Sequence, residues 1–142
     1  MDSTINGVRV PHECSVAELA EMCRSGSMQD FVVAAEALGT KDNDAAFRVL
    51  ASYLTDKDVY KRLCAFNVIG NTRYASAITG EIESALSSPD ALFRRAALRI
   101  AARENVTVSE ERLRRALWEN DAAIDANVYS AAEKLSESEE NY

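Results

Sequence analysis

Only two prolines and five glycines occur in 142 residues, and alanine is abundant. Such a chain is poor in the turn chemistry that sandwiches and barrels need and rich in helix formers. A single histidine, His12, leaves any histidine-dependent triad with one candidate near the start of the sequence. No Walker loop, no GxGxxG and no GxSxG occurs. The three cysteines, Cys14, Cys23 and Cys64, are odd in number and unevenly spaced, so no disulfide framework is expected. The longest apolar run, Phe31–Ala35, is far short of the ~20 residues that span a bilayer. Met1–Val10 holds no basic stretch followed by an apolar one. A reducing, cytoplasmic setting is therefore expected. Net charge is -7, which disfavours a general nucleic-acid-coating role.

What the chain does contain is 47% hydrophobic and 27% charged residues, enough to bury a core. The charge is uneven. Residues 1–44 carry -5 and residues 119–142 carry -6, residues 45–92 balance, and residues 93–118 carry +4. The positive segment holds Arg94, Arg95, Arg99, Arg103, Arg112, Arg114 and Arg115. These are either solvated helix faces softened by i,i+4 partners or a site for an anion or an acidic partner.

One pattern recurs four times: Leu19-Cys23-Ser27, Leu50-Leu54-Asp58, Ile82-Leu86-Asp90 and Leu113-Leu117-Asp121. Spacing within a copy is four and four, and the steps between copies are 31, 32 and 31. A second pattern follows each copy, as in Asp58, Arg62, Ala65, Val68, Ile69, Gly70 and Asp90, Arg94, Ala97, Ile100, Ala101. Apolar steps of three and four mark helices. Each copy thus reads as two amphipathic helices, giving eight near 15–25, 28–38, 43–54, 57–69, 73–87, 89–104, 110–119 and 121–135. Punctuation agrees. Ser15 with Glu18 is a capping box, Ser27 and Asp56 or Asp58 open helices, and Gly39 and Gly70 close them, Gly39 in a left-handed conformation. Pro89 suits a first helical turn. Gly80 weakens the fifth helix by about 1 kcal/mol relative to Ala. Before the array, Asn6-Gly7 between Thr4-Ile5 and Val8-Arg9-Val10 predicts a tight turn.

These residues resemble HEAT repeats, specifically the short variety of bilin-lyase-like proteins, with the pattern Leu-x3-Leu, an Asp, then Val-Arg-x2-Ala-x2-Ala-Leu-Gly. The second and third copies match well. The first has Ser27 for the Asp and Phe31 at the Arg place, and the fourth has Asp125 there. The resemblance spans about residues 15–135. It implies an all-α, right-handed α-solenoid of about four helical hairpins, with 1–14 as an N-terminal extension and 136–142 as an acidic tail. It also implies that the second helix of each pair lines a concave, partner-binding face. Physics is consistent, since one helix pair cannot bury its apolar stripe and must stack on neighbours.

With Ala34, Ala65, Ala97 and Val128 as buried centres, a helical wheel puts Gln29, Val32 and Glu36 on the opposite faces, then Tyr60, Leu63 and Asn67, then Leu92, Arg95 and Arg99, then Ala123 and Ser130. Tyr60, Leu63, Asn67, Leu92, Arg95 and Arg99 are the candidate partner-binding residues, because a purely solvated face does not need Tyr60, Leu63 and Leu92. The alternative is that they pack beneath the N-terminal segment or a neighbouring helix. Arg62 and Arg94, being pattern positions, are expected to bond to Asp58, Asp90 or helix ends. Cys64 and Trp118 read as core or end-packing residues. Glu81, Glu83, Glu110 and Glu111 read as solvated charge. His12, Cys14 and Cys23 fall short of a zinc set, so no metal and no cofactor are expected.

The function expected is a non-enzymatic interaction module binding a protein partner, as a monomer. Two alternatives stand beside it. One is an acidic immunity or inhibitor protein that neutralises a basic toxin or nuclease. The other is a lyase-like accessory protein acting on a cofactor-bearing partner, for which Cys64 would be the thiol at hand.

Overall fold

The computed structural model describes residues 4–5, 8–9 and 13–118. Thr4–Ile5 (β1) pairs antiparallel with Val8–Arg9 (β2), Thr4 opposite Arg9 and Ile5 opposite Val8, which leaves the two residues of the predicted turn between them. All other regular structure among the described residues is helical. The chain divides into two compact units, Met1–Thr72 and Arg73–Tyr142.

Among its described residues the first unit holds four α-helices: α1 (Val16–Ser25), α2 (Met28–Thr40), α3 (Asp44–Ala51) and α4 (Val59–Gly70). Ser15 and Glu18 form the expected capping box at α1, and Ser27 with Asp30 forms another at α2. Asn43 caps α3 through the Ala46 amide. Asp58 caps α4, while Asp56 accepts from the Asp58 amide. The helices pair α1 with α2 and α3 with α4, and α1 also meets α3 as α2 meets α4. Leu19, Cys23, Phe31, Ala34, Leu38, Leu50, Ala65 and Ile69 form the core.

Two expectations fail here for physical reasons. Gly39 does not end α2 in a left-handed turn, because the helix runs on to Thr40 and Asp42 takes the positive φ of 49°. Asp tolerates that region through local hydrogen bonding. Gly39 instead permits close approach, since a Cβ there would sit 2.6 Å from Val68 Cγ1 on α4. The third helix stops at Ala51 rather than near 54. Tyr53 and Leu54 then bond to carbonyls three residues back, and the Ser52 hydroxyl bonds Val49 O at 2.6 Å. A hydroxyl that competes for backbone acceptors tightens and ends a helix.

The second unit holds a 3-10 helix, Arg73–Ile78, then α5 (Thr79–Leu86), α6 (Ala91–Ala101) and α7 (Glu110–Trp118). The single helix expected over 73–87 is therefore broken. Ser76 and Thr79 hydroxyls bond carbonyls three residues back, and Ile78 offers no side-chain cap. Gly80 lies in the weak first turn that results, facing open space. Pro89 precedes the helix rather than entering it, because Asp90 is the N-cap of α6. α5 pairs with α6, and α7 packs on both. Ile82, Leu86, Ala97, Leu98, Ile100 and Leu113 are buried. The expected eighth helix, 121–135, and the acidic tail lie outside the described residues.

The repeat register survives in three dimensions. Ser27, Asp58 and Asp90 are the N-caps of α2, α4 and α6, and Ala34, Ala65 and Ala97 are each fully buried. Arg62 Nη1 donates to Asp56 O at 2.8 Å, and Arg94 Nη1 donates to Ser88 O at 2.8 Å. Both arginines thus reach six residues back, tying the loop to the helix it feeds. In the first copy Phe31 occupies that place, and the site is rebuilt from apolar parts. Phe31 is fully buried, meets Tyr53 edge-on at 4.8 Å, and carries the Lys61 ammonium 5.3 Å above its ring.

Candidate functional site: a groove on the first unit

Within the first unit, α2 and α4 leave a groove of about 460 Å³ between them. Met28, Val32 and Glu36 form one wall, and Tyr60, Leu63, Cys64, Asn67, Val68 and Asn71 form the other. The cause is periodicity. Positions 28, 32 and 36 recur every four residues along α2, and 60, 63–64, 67–68 and 71 recur along α4, so each set forms one stripe. The stripes lie opposite the buried Ala34 and Ala65. The groove is mostly apolar, with the Glu36 carboxylate, the Asn67 and Asn71 amides, the Tyr60 phenol and the Cys64 thiol as its polar groups, the composition of a recognition site.

The wheel positions Val32, Glu36, Tyr60, Leu63 and Asn67 all line this groove. Tyr60 is 66% exposed, so it is not packed beneath another segment. Leu92, Arg95 and Arg99 belong to α6 in the second unit, where Leu92 is 51% exposed, Arg95 is exposed and Arg99 is half-buried. Phe66 on α4 and Leu98 on α6 are buried.

Three side chains differ from their sequence reading. Cys64 is half-buried on the groove wall rather than in the core. Burial, and then the nearby Glu36 carboxylate, push its thiol above the ordinary value. Trp118 is 92% exposed at the end of α7. Glu83 is not solvated charge: its Oε1 accepts the Ser109 amide at 2.6 Å, bridging 26 residues to the start of α7. The expectation for Glu110 and Glu111 is met differently, since they pair with Arg114 at 3.8 Å and Arg115 at 3.2 Å along the exposed face of α7.

A thiolate nucleophile is disfavoured at Cys64, because both causes of its shift oppose ionisation. Cys23 is buried, and burial followed by the neighbouring Cys64 raises its thiol as well. Cys14 is buried too, and His12 lies outside the described residues. Among the described residues no three His, Cys, Asp or Glu side chains cluster to hold a metal. No described helix is long and apolar enough to cross a membrane. No protein-family model matches the chain, and no curated protein or solved structure matches it.

Proposed function

We propose that this chain is a non-enzymatic interaction module, a short right-handed α-solenoid of HEAT-like helical pairs that binds a protein partner through its second helices. The observation that carries the reading is the apolar groove between α2 and α4 with Tyr60 standing exposed at its wall. Both helices are the second of their pair, the position that the resemblance assigns to the binding face. An exposed tyrosine beside Leu63 and Val32 is the kind of anchor that concentrates binding energy in protein interfaces. A raised thiol at Cys64 favours recognition over covalent chemistry in this groove.

The test uses a partner recovered by affinity purification. Tyr60→Ala should weaken its binding by about 2 kcal/mol or more, and Leu63→Asp should abolish it, while circular dichroism stays unchanged. A photo-crosslinker at position 60 should capture the same partner, and one at the exposed Thr55 should not. Full binding by Tyr60→Ala, or capture from position 55 alone, would overturn the reading.

A further inference from the structure

The groove between α2 and α4 has a direction. Three pairs set the register of the two helices: Lys61 over the Phe31 ring, Cys64 near the Glu36 carboxylate, and Val68 Cγ1 against Gly39. Residue numbers rise together in these pairs, so α2 and α4 run the same way. Met28, Val32, Tyr60 and Leu63 therefore line the end where the helices begin, and Glu36, Asn67 and Asn71 line the end where they finish. The first end is aliphatic and aromatic, the second polar. Glu36 is the only charged residue among those lining the groove. It is exposed, and no ion pair or hydrogen bond engages its carboxylate among the described residues. Neither α2 nor α4 has a base in its last turn, so two helix C-termini add partial negative charge at the same end. Lys41, which follows α2, and Lys61, which sits over Phe31, are not part of the groove wall.

We propose, on the reading of this groove as the partner site, that its occupant is a basic amphipathic helix of a partner protein. Its apolar side chains lie over Met28, Tyr60, Val32 and Leu63, and one lysine or arginine meets Glu36. Charge complementarity selects this occupant. An unpaired carboxylate beside two helix C-termini attracts a cation and opposes an acidic segment or a nucleic acid. Length fits as well. Met28 and Glu36 are eight residues apart on α2, about 12 Å at the rise of a helix. Side chains at i, i+4 and i+7 of a guest helix span about 10.5 Å along one face.

The probe is a synthetic helical peptide with leucine at i and i+4 and lysine at i+7, titrated by fluorescence anisotropy against the full chain. Saturable binding is expected, falling as salt rises. E36Q, at an exposed position, should weaken it about fivefold with unchanged thermal stability. E36K should weaken it further and should prefer the same peptide with glutamate at i+7. The proposal is overturned by absence of saturable binding at low salt, by equal binding after the lysine is moved to the opposite face at i+9, by normal binding to E36Q, or by no change of preference in E36K. Self-association of the chain that is lost in Tyr60→Ala would make a second copy the occupant and overturn it too. A peptide that binds wild type and E36Q alike but not Tyr60→Ala removes the basic occupant and leaves the groove reading standing. Normal peptide binding by Tyr60→Ala puts the peptide outside the groove and overturns this proposal, while the groove reading is judged separately by its recovered partner.

Discussion

Individual side chains do two kinds of work in this protein, and the distinction turns on geometry that spacing alone does not carry. Gly39 is the clearest case. A helix-terminating glycine and a close-approach glycine look alike in a sequence, and only the 2.6 Å separation between its missing Cβ and Val68 Cγ1 identifies the second. Val68 is β-branched and stiff at χ1, so it yields little. Gly39→Ala should therefore cost about 1–3 kcal/mol from overpacking despite alanine's better helix propensity. Adding Val68→Ala should recover part of that loss. Chemical denaturation of the two single variants and the double variant checks the coupling, and simple additivity would mean the two helices do not meet there. Phe31 teaches the same lesson in reverse. Its departure from the arginine place is visible in the sequence, but the compensation by Tyr53 and Lys61 is not, because those residues lie 22 and 30 positions away.

At the scale of elements, the openings at Ser15, Ser27 and Asp58 and the end of α4 at Gly70 were legible, while the ends of α2 and α3 and the break before α5 were not. Ser15, Ser27 and Asp58 cap the helices they were expected to cap, since an N-cap depends on a local side-chain bond to an amide two or three residues on. Helix ends and breaks depended on competition for carbonyls by Ser52, Ser76 and Thr79, a contest with no periodic signature. Glu83 shows an element held from a distance. Its carboxylate supplies the acceptor that the first turn of α7 needs, across 26 residues, and an anion is favoured at that end of a helix. Glu83→Gln retains an acceptor but removes the charge and should cost about 1 kcal/mol, whereas Glu83→Ala should cost about 2 kcal/mol by orphaning the Ser109 amide. Hydrogen exchange at the start of α7 reads the effect locally. Equal costs for the two variants would show that the hydrogen bond contributes nothing.

For the molecule as a whole, the buried thiols set a pH limit. Cys23, Cys64 and Tyr53 all have ionisations raised in the folded state, in each case chiefly by burial. A raised folded value means that the neutral group is favoured by folding. The corresponding stability is present below the unfolded value, 9.0 for the cysteines and 10.0 for the tyrosine, and is lost as pH rises through the folded one. Thermal stability should hold from pH 7 to about 8.5 and then decline. The decline should be shallower in Cys23→Ala/Cys64→Ala. An unchanged slope in that variant would remove the thiols as the cause.

By itself the sequence determined the period, the helical character and the buried stripe. Those follow from local rules: apolar steps of three and four, capping side chains, and a 31- or 32-residue recurrence that puts Ala34, Ala65 and Ala97 in equivalent buried places. It also marked one face of α2 and α4, because a residue opposite a buried centre is placed by the helix alone. Only the tertiary structure decided that this face encloses a groove, that Cys64 belongs to its wall, and that the Glu83 carboxylate reaches the Ser109 amide at the start of α7. Each of those facts depends on where a second helix or a distant side chain comes to rest, and no spacing within one segment encodes that.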